Sequence, residues 1–269
     1  MPARTILFRF LCILLVISCA AALVIAQKKQ IRVAAASDLQ TVMPEIAAAY
    51  EASTGMHAEL VFGSSGNLFA QIQNGAPFDL FFSADTEFPA KLIQNGLAEP
   101  RSAVIYAEGR LVLWLSPDAK CDPQTEKWNC LLKPEIAKVA IANPTHAPYG
   151  RAAVHALQSA RVYEQVRPKL VLGENISQAA QFAQSGNAQA GLLSYSQAQS
   201  ATMRNGKRWE IPQGSYPKIE QSVVVLKSAK DKSAVQDFVQ FVTEGRGCGI
   251  LEKAGFHLPA DARQPSRHK

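Results

Sequence analysis

Serine stands twice where an apolar run gives way to an amphipathic one, and a serine so placed can hold an anion without help from a cation. Residues 31–36 run into Ser37-Asp38, with an amphipathic segment predicted over 39–51. Residues 59–62 run into Gly63-Ser64-Ser65-Gly66, with a helix predicted over 67–73 and stopped by Asn74-Gly75. At such a strand–helix junction the first-turn N–H groups lack intrahelical partners, and the macrodipole adds partial positive charge. A serine adds its hydroxyl to its backbone N–H, so two of these ends aimed at one point would bind an oxyanion. Ser37 and Gln40 have the S-x-x-Q spacing of a capping box. Taken singly, Ser37 is an ordinary N-cap and Ser64-Ser65 ordinary turn residues. The recurrence of one kind of junction is what favours a site.

The elements that must position these serines follow along the chain. Residues 79–83 form a third buried strand, and 86–95 a helix stopped by Gly96. A strong strand at 110–115 precedes a polar loop carrying Cys121 and Cys130. A strand at 138–142 leads into Asn143-Pro144-Thr145-His146-Ala147-Pro148-Tyr149-Gly150 and a helix over 151–160. Residues 170–172 lead into Gly173-Glu174-Asn175-Ile176-Ser177 and a helix to Gln184; strands follow at 190–193 and 222–226. Val235, Phe238 and Val242 put one apolar stripe on a helix over 233–243. Strands alternating with helices imply a largely parallel sheet with helices on both faces. Ligands of such sheets lie beyond the carboxyl ends of strands, where all four loops fall. Two lobes closing on a ligand between them is the architecture expected.

Composition narrows the function. Of 269 residues, 48% are hydrophobic and 19% charged, as in an ordinary globular protein. The formal net charge is +6, but Arg4 and Arg9 at one end and residues 260–269 at the other supply two charges each, leaving the body near neutral. No basic run carries interleaved aromatics, which argues against nucleic acid. Residues 1–26 resemble an export signal, with basic Arg4 and Arg9 before LCILLVIS. Val24-Ile25-Ala26 suits cleavage before Gln27, whereas Val16-Ile17-Ser18-Cys19 resembles a lipobox that would leave a lipid on Cys19; the two alternatives stay open. Cys12 and Cys19 lie in the signal, Cys121 and Cys130 bracket a loop suited to a disulfide in an oxidising compartment, and Cys248 is left over.

With these junctions laid out, the chain resembles the periplasmic molybdate-binding proteins, the substrate-binding components of ABC transporters. The stretches that carry the resemblance are AAASDL, GSSGNLFAQIQNGAPFDLFFSAD, NPTHAPYGRAA, GENISQAAQFAQSGNAQAGLL and LEKAGFHLP, from about residue 31 to 259. It implies an α/β, two-lobe type II periplasmic-binding-protein fold, with mixed sheets, helices on both faces and a ligand cleft between the lobes. Its division would be a signal peptide at 1–26, one lobe from 27–109 and 218–260, the other from 110–217, and a polar tail at 261–269. It also implies a tetrahedral dianion held by neutral donors: Ser37 and Ser65 through N–H and Oγ, Tyr149 and Ile176 through backbone N–H, with Asp38 beside Ser37. Molybdenum would be present only inside the oxyanion, its oxygens facing Ser37, Ser65, Tyr149 and Ile176. No cofactor is implied beyond the ligand, molybdate or tungstate. The partners would be an ABC permease with its ATPase, the protein being a periplasmic monomer that meets the membrane only there or through a lipid on Cys19.

Two positions depart from the family pattern. Some relatives add a tyrosine hydroxyl from the strand after the fourth loop, where this chain has Ser194, with Tyr195 one residue late and expected to face the other way along the strand. The Tyr149 hydroxyl is expected to substitute for it. Asp38 replaces a neutral residue, and its carboxylate is expected to turn away from a dianion towards the helix N-terminus. Competing readings are a binding protein for phosphate, sulfate or a small organic acid, and, more remotely, a serine hydrolase. The chain lacks a G-x-S-x-G elbow, and no His–acid pair stands near Ser37 or Ser65 in sequence. The five histidines are scattered and are expected on the surface or in loops.

Overall fold

A computed structural model describes residues 30–259. The export signal at 1–26, with its two processing alternatives, and the tail at 261–269 lie outside the described residues. Among the described residues, ten strands form two five-stranded mixed sheets. The first has the order β2-β1-β3-β10-β4, from β1 (Gln30–Ala36), β2 (His57–Gly63), β3 (Leu80–Ser83), β4 (Val104–Gly109) and β10 (Ile219–Val225). The second has the order β7-β6-β8-β5-β9, from β5 (Leu111–Leu115), β6 (Val139–Ala142), β7 (Leu170–Gly173), β8 (Ala190–Ser194) and β9 (Lys207–Glu210). β1 and β3 run parallel, as do β7, β6 and β8, whereas β10 and β5 are antiparallel to their neighbours. The chain passes between sheets twice, at Gly109–Arg110 and over 211–218.

The inner strands of the first sheet, β1, β3 and most of β10, are buried on both faces, which is why they read as largely apolar runs. Adjacent side chains alternate: Phe82 packs with Met43, Ile46 and Phe238 on one face, and Phe81 packs with Leu68 and Leu92 on the other. These helices are α1 (Met43–Thr54), α2 (Ser65–Gln73), α3 (Glu87–Gln94) and α6 (Lys232–Thr243), and α7 (Arg246–Lys253) closes the described chain; α4 (Pro148–Ser159) and α5 (Ile176–Gln184) flank the second sheet. Trp114 is buried in the second core, where Cys121 and Cys130 form a disulfide. Among the described residues no helix is long and apolar enough to cross a membrane.

Several local expectations change. The helix predicted over 39–51 is broken: Ser37–Thr41 is a 3-10 turn, and α1 begins only at Met43 with Pro44 in its first turn. Proline lacks an N–H and tolerates only the start of a helix, so it resets the register. The capping box does not form, because Ala36 occupies the N-cap and no side chain caps the turn. The polar loop after β5 holds two helical turns, Pro123–Glu126 and Asn129–Leu132. β4 and β9 were not foreseen in the sequence. Tyr195 does not continue β8 but opens a helical turn, Tyr195–Ala198, so strand alternation does not apply to it.

Candidate functional site

The five residues expected to bind a ligand, Ser37, Asp38, Ser65, Tyr149 and Ile176, all line one narrow cavity between the two sheets. Its lining includes no lysine, arginine or histidine. Its volume is about 10 Å3, close to what a single water needs.

Each junction offers one particular backbone donor. In α2, Gly66 N–H donates to His146 O (2.9 Å), Asn67 N–H to Ser64 Oγ (3.3 Å) and Leu68 N–H to Ser64 O (3.0 Å). The N–H of Ser65 is what remains. In α4, Pro148 has no N–H, and Gly150 and Arg151 both donate to Ala147 O, leaving Tyr149. In α5, Gln178 N–H is capped by Asn175 Oδ1 and Ala179 N–H by Asn175 O, leaving Ile176 and Ser177, of which Ile176 lines the cavity. In the turn after β1, Ser37 supplies the first N–H, and its carbonyl accepts from Ser177 Oγ (2.8 Å) and Gln197 Nε2 (3.3 Å). The cavity is therefore walled by donors that have no acceptor within their own helices.

The serine hydroxyls have separate tasks. Ser65 Oγ accepts from the buried Ala84 N–H (3.0 Å), which leaves its own O–H to donate. Ser65→Ala should therefore weaken oxyanion binding by about 1.5–3 kcal/mol, the worth of one hydrogen bond to a charged group, as calorimetric titration would read. It should also lower the unfolding free energy of the unliganded protein by about 1–3 kcal/mol, because Ala84 N–H loses its acceptor. Ser64 caps α2 and meets His146 Nδ1 at 2.9 Å, with His146 Nε2 3.6 Å from Glu174. His146, expected on the surface or in a loop, lies in the loop before α4, at the cleft rim. This Ser–His–acid string does not make a nucleophile of Ser64, whose Oγ is already committed as the N-cap. It forms only across the closed cleft, together with Asn67 Nδ2 to Glu174 Oε1 (2.5 Å) and Arg151 to Asp85 (2.6 Å).

Asp38 is fully buried. Its Oδ2 accepts from Gln221 Nε2 (2.5 Å), and Tyr106 O–H donates to Gln221 Oε1 (2.6 Å). Oδ1 has no donor in hydrogen-bond geometry. The Tyr149 hydroxyl, expected to serve the ligand, accepts from Gln221 Nε2 (3.3 Å), stands beside the Asp38 carboxyl and crowds Gly109, where a Cβ would lie 2.2 Å from it. Any side chain at this crossing between sheets would displace the tyrosine. Burial pushes the Asp38 carboxyl from 3.8 to about 6, against the pull of Gln221, Tyr149 and nearby N–H groups. Burial, and then the Asp38 charge, push the Tyr106 and Tyr149 hydroxyls well above the usual tyrosine range. Because the folded carboxyl holds its proton more tightly than the unfolded one, its contribution to stability is complete below about pH 4 and lost as pH rises through 6. The unliganded Asp38→Asn protein should therefore exceed wild type by about 3 kcal/mol above pH 7, and the advantage should vanish near pH 4 in denaturant titrations. Gln221 and Tyr106 went unnoticed in the sequence. Ser194 caps the following helical turn, and Tyr195 packs beneath Arg110, 3.6 Å from its ring; neither lines the cavity.

With this geometry in place, comparison with known proteins assigns the family. The model for bacterial extracellular solute-binding proteins matches residues 31–257. The chain belongs to that family. As a solute-binding protein it is 40% identical to the molybdate-binding protein ModA of Rhodobacter capsulatus over 79% of this chain and 82% of that one. It is 36% identical to ModA of Azotobacter vinelandii over 87% and 92%. The periplasmic molybdate-binding protein structure from A. vinelandii superposes on it with a TM-score of 0.80 at 31% identity, covering 85% of this chain and 99% of that one. The two-lobe type II fold expected of solute-binding proteins is thus the fold observed, with its cavity where the two sheets face each other.

Proposed function

We propose that this protein captures molybdate, and tungstate with it, as a dianion in the cleft and delivers it to an ABC permease and its ATPase. It acts as a carrier outside the cytoplasm, not as an enzyme. One observation carries the reading: four helical N-termini, two from each lobe, present unpaired N–H groups to a narrow, cation-free cavity. Ser37 and Ser65 donate N–H and hydroxyl, and Tyr149 and Ile176 donate N–H. Five or six hydrogen bonds to a charged group, at about 1.5–3 kcal/mol each, give on the order of 10 kcal/mol before costs. Lost freedom and lobe closure offset part of this, so affinity falls between about micromolar and nanomolar. Rigid helix ends fix the cavity size, which favours the longer metal–oxygen bonds of molybdate and tungstate over those of sulfate. Its molybdate-binding relatives support the same cargo.

Asp38 is the observation favouring a second reading, in which an ionised carboxylate accepts a proton from hydrogen phosphate. Calorimetric titration with molybdate, tungstate, sulfate and phosphate separates the two. Tight one-to-one binding of the first two alone supports the proposal; tight phosphate with weak molybdate replaces it.

A further inference from the structure

The Asp38 carboxyl has two unlike oxygens. Oδ2 is held from the side where the chain crosses between sheets, by a Gln221 amide whose orientation Tyr106 fixes: with Oε1 accepting from Tyr106, Nε2 must face Asp38. Oδ1 is sealed from solvent and makes no hydrogen bond of good geometry, although the Tyr149 hydroxyl and the Asp38 and Leu39 N–H groups stand near the carboxyl, and the residue lines the anion cavity. Every other polar group argued to face the ligand is a donor, and a fully ionised oxyanion offers only acceptors. An ionised Oδ1 would set acceptor against acceptor and negative charge against negative charge. A proton on it converts the one mismatched group into a donor.

We propose that Asp38 binds the oxyanion as the neutral acid, its Oδ1–H donating to a ligand oxygen, so that each capture takes up one proton from solvent. This rests on the oxyanion-carrier reading and names the residue that tunes it. The unliganded carboxyl, already raised to about 6, is partly protonated near that pH, and the ligand's charge raises it further. Other groups around Asp38 do not supply the same effect. Tyr106 of β4 and Tyr149 of α4 are held well above the accessible range. Gln221 of β10, Ser177 of α5, and Ser196 and Gln197 of the turn after β8 do not titrate there. Asp85, after β3, is paired with Arg151 of α4. His146 and Glu174 stand at the rim, and a substitution at Asp38 leaves both in place.

The test is titration of wild type and Asp38→Asn with sodium molybdate from pH 6 to 8.5, in buffers of differing ionisation enthalpy. Asparagine reproduces the neutral acid, since its Oδ1 can accept from Gln221 while Nδ2 donates to the ligand. Wild type should lose affinity by up to about tenfold per pH unit above 6 and take up close to one proton per molybdate at pH 8. The variant should show little slope, no comparable uptake and tighter binding than wild type at pH 8. Equal slopes, or no proton uptake by wild type, would overturn the proposal while leaving the carrier reading intact. So would wild-type phosphate binding that the variant loses, because Asp38 would then act as an acceptor. Failure of both proteins to bind molybdate at any pH would refute the carrier reading, and this inference with it.

Discussion

Gly66→Ala should make the unliganded protein slightly more stable and the liganded one much weaker. Gly66 lies in the first turn of α2, and a Cβ there would sit 2.7 Å from His146 Cβ and 2.8 Å from His146 O. Those atoms belong to the loop before α4, on the other lobe, and the Gly66 N–H bonds to the same carbonyl (2.9 Å). The added methyl is therefore a wedge that acts only when the cleft shuts. In an open molecule it meets nothing from that lobe, and replacing glycine by alanine in a helix gains up to about 1 kcal/mol. In the closed molecule backbone must move, at a cost of about 1–3 kcal/mol as for overpacking, or roughly 5–150-fold in affinity. Calorimetry gives the affinity, thermal unfolding the stability, and solution scattering the degree of closure on adding molybdate. Unchanged affinity would mean that the closed arrangement described here is not the one that holds the ligand.

Ile176→Pro should cost more affinity than Ile176→Val, by about 1.5–3 kcal/mol, or roughly 10–150-fold. Proline is suited to this position as few others are. Ile176 is the first residue of α5, where a missing N–H breaks no helical bond, and Asn175 before it is extended at φ −149°, ψ 177°, as a residue preceding proline must be. The Asn175 cap on Gln178 is untouched. What proline removes beyond the side chain is the one N–H that faces the cavity. Valine trims the buried side chain and keeps that donor, so the difference between the variants isolates it. Equal dissociation constants for the two would remove Ile176 from the donor set.

How much of this was legible in the sequence depended on distance along the chain. The junctions at Ser37, Ser65, Tyr149 and Ile176 are local patterns, an apolar run meeting Ser, Gly, Pro or Asn before a helix, and the fold brings all four to one cavity. The Asp38–Gln221–Tyr106 cluster was not legible. Gln221 stands 115 residues from Tyr106 and 183 from Asp38, and a glutamine at the head of QSVVV looks like a solvent-facing strand residue until β10 is paired on both sides. β4 and β9 were missed because VIYAEG and KRWE mix charges with short apolar pieces, and only pairing with β10 and β5 makes them strands. The broken helix after Ser37 was legible in Pro44, whose significance the amphipathic pattern around it obscured.

The division of donors, Ser37 and Ser65 from one lobe against Tyr149 and Ile176 from the other, makes occupancy visible from outside. A molecule gaping open can offer an ion only one half of its grip at a time, so an ion that lands there stays briefly unless the second half arrives. Loading and shutting become one event, and a loaded carrier differs from an empty one in outline as well as content. A receptor gripping both lobes would need no contact with the cargo to know that it is there; it would need only to gauge the gap. The same grip, if it then spread the lobes, would halve the hold on the ion and let it fall without any chemical step.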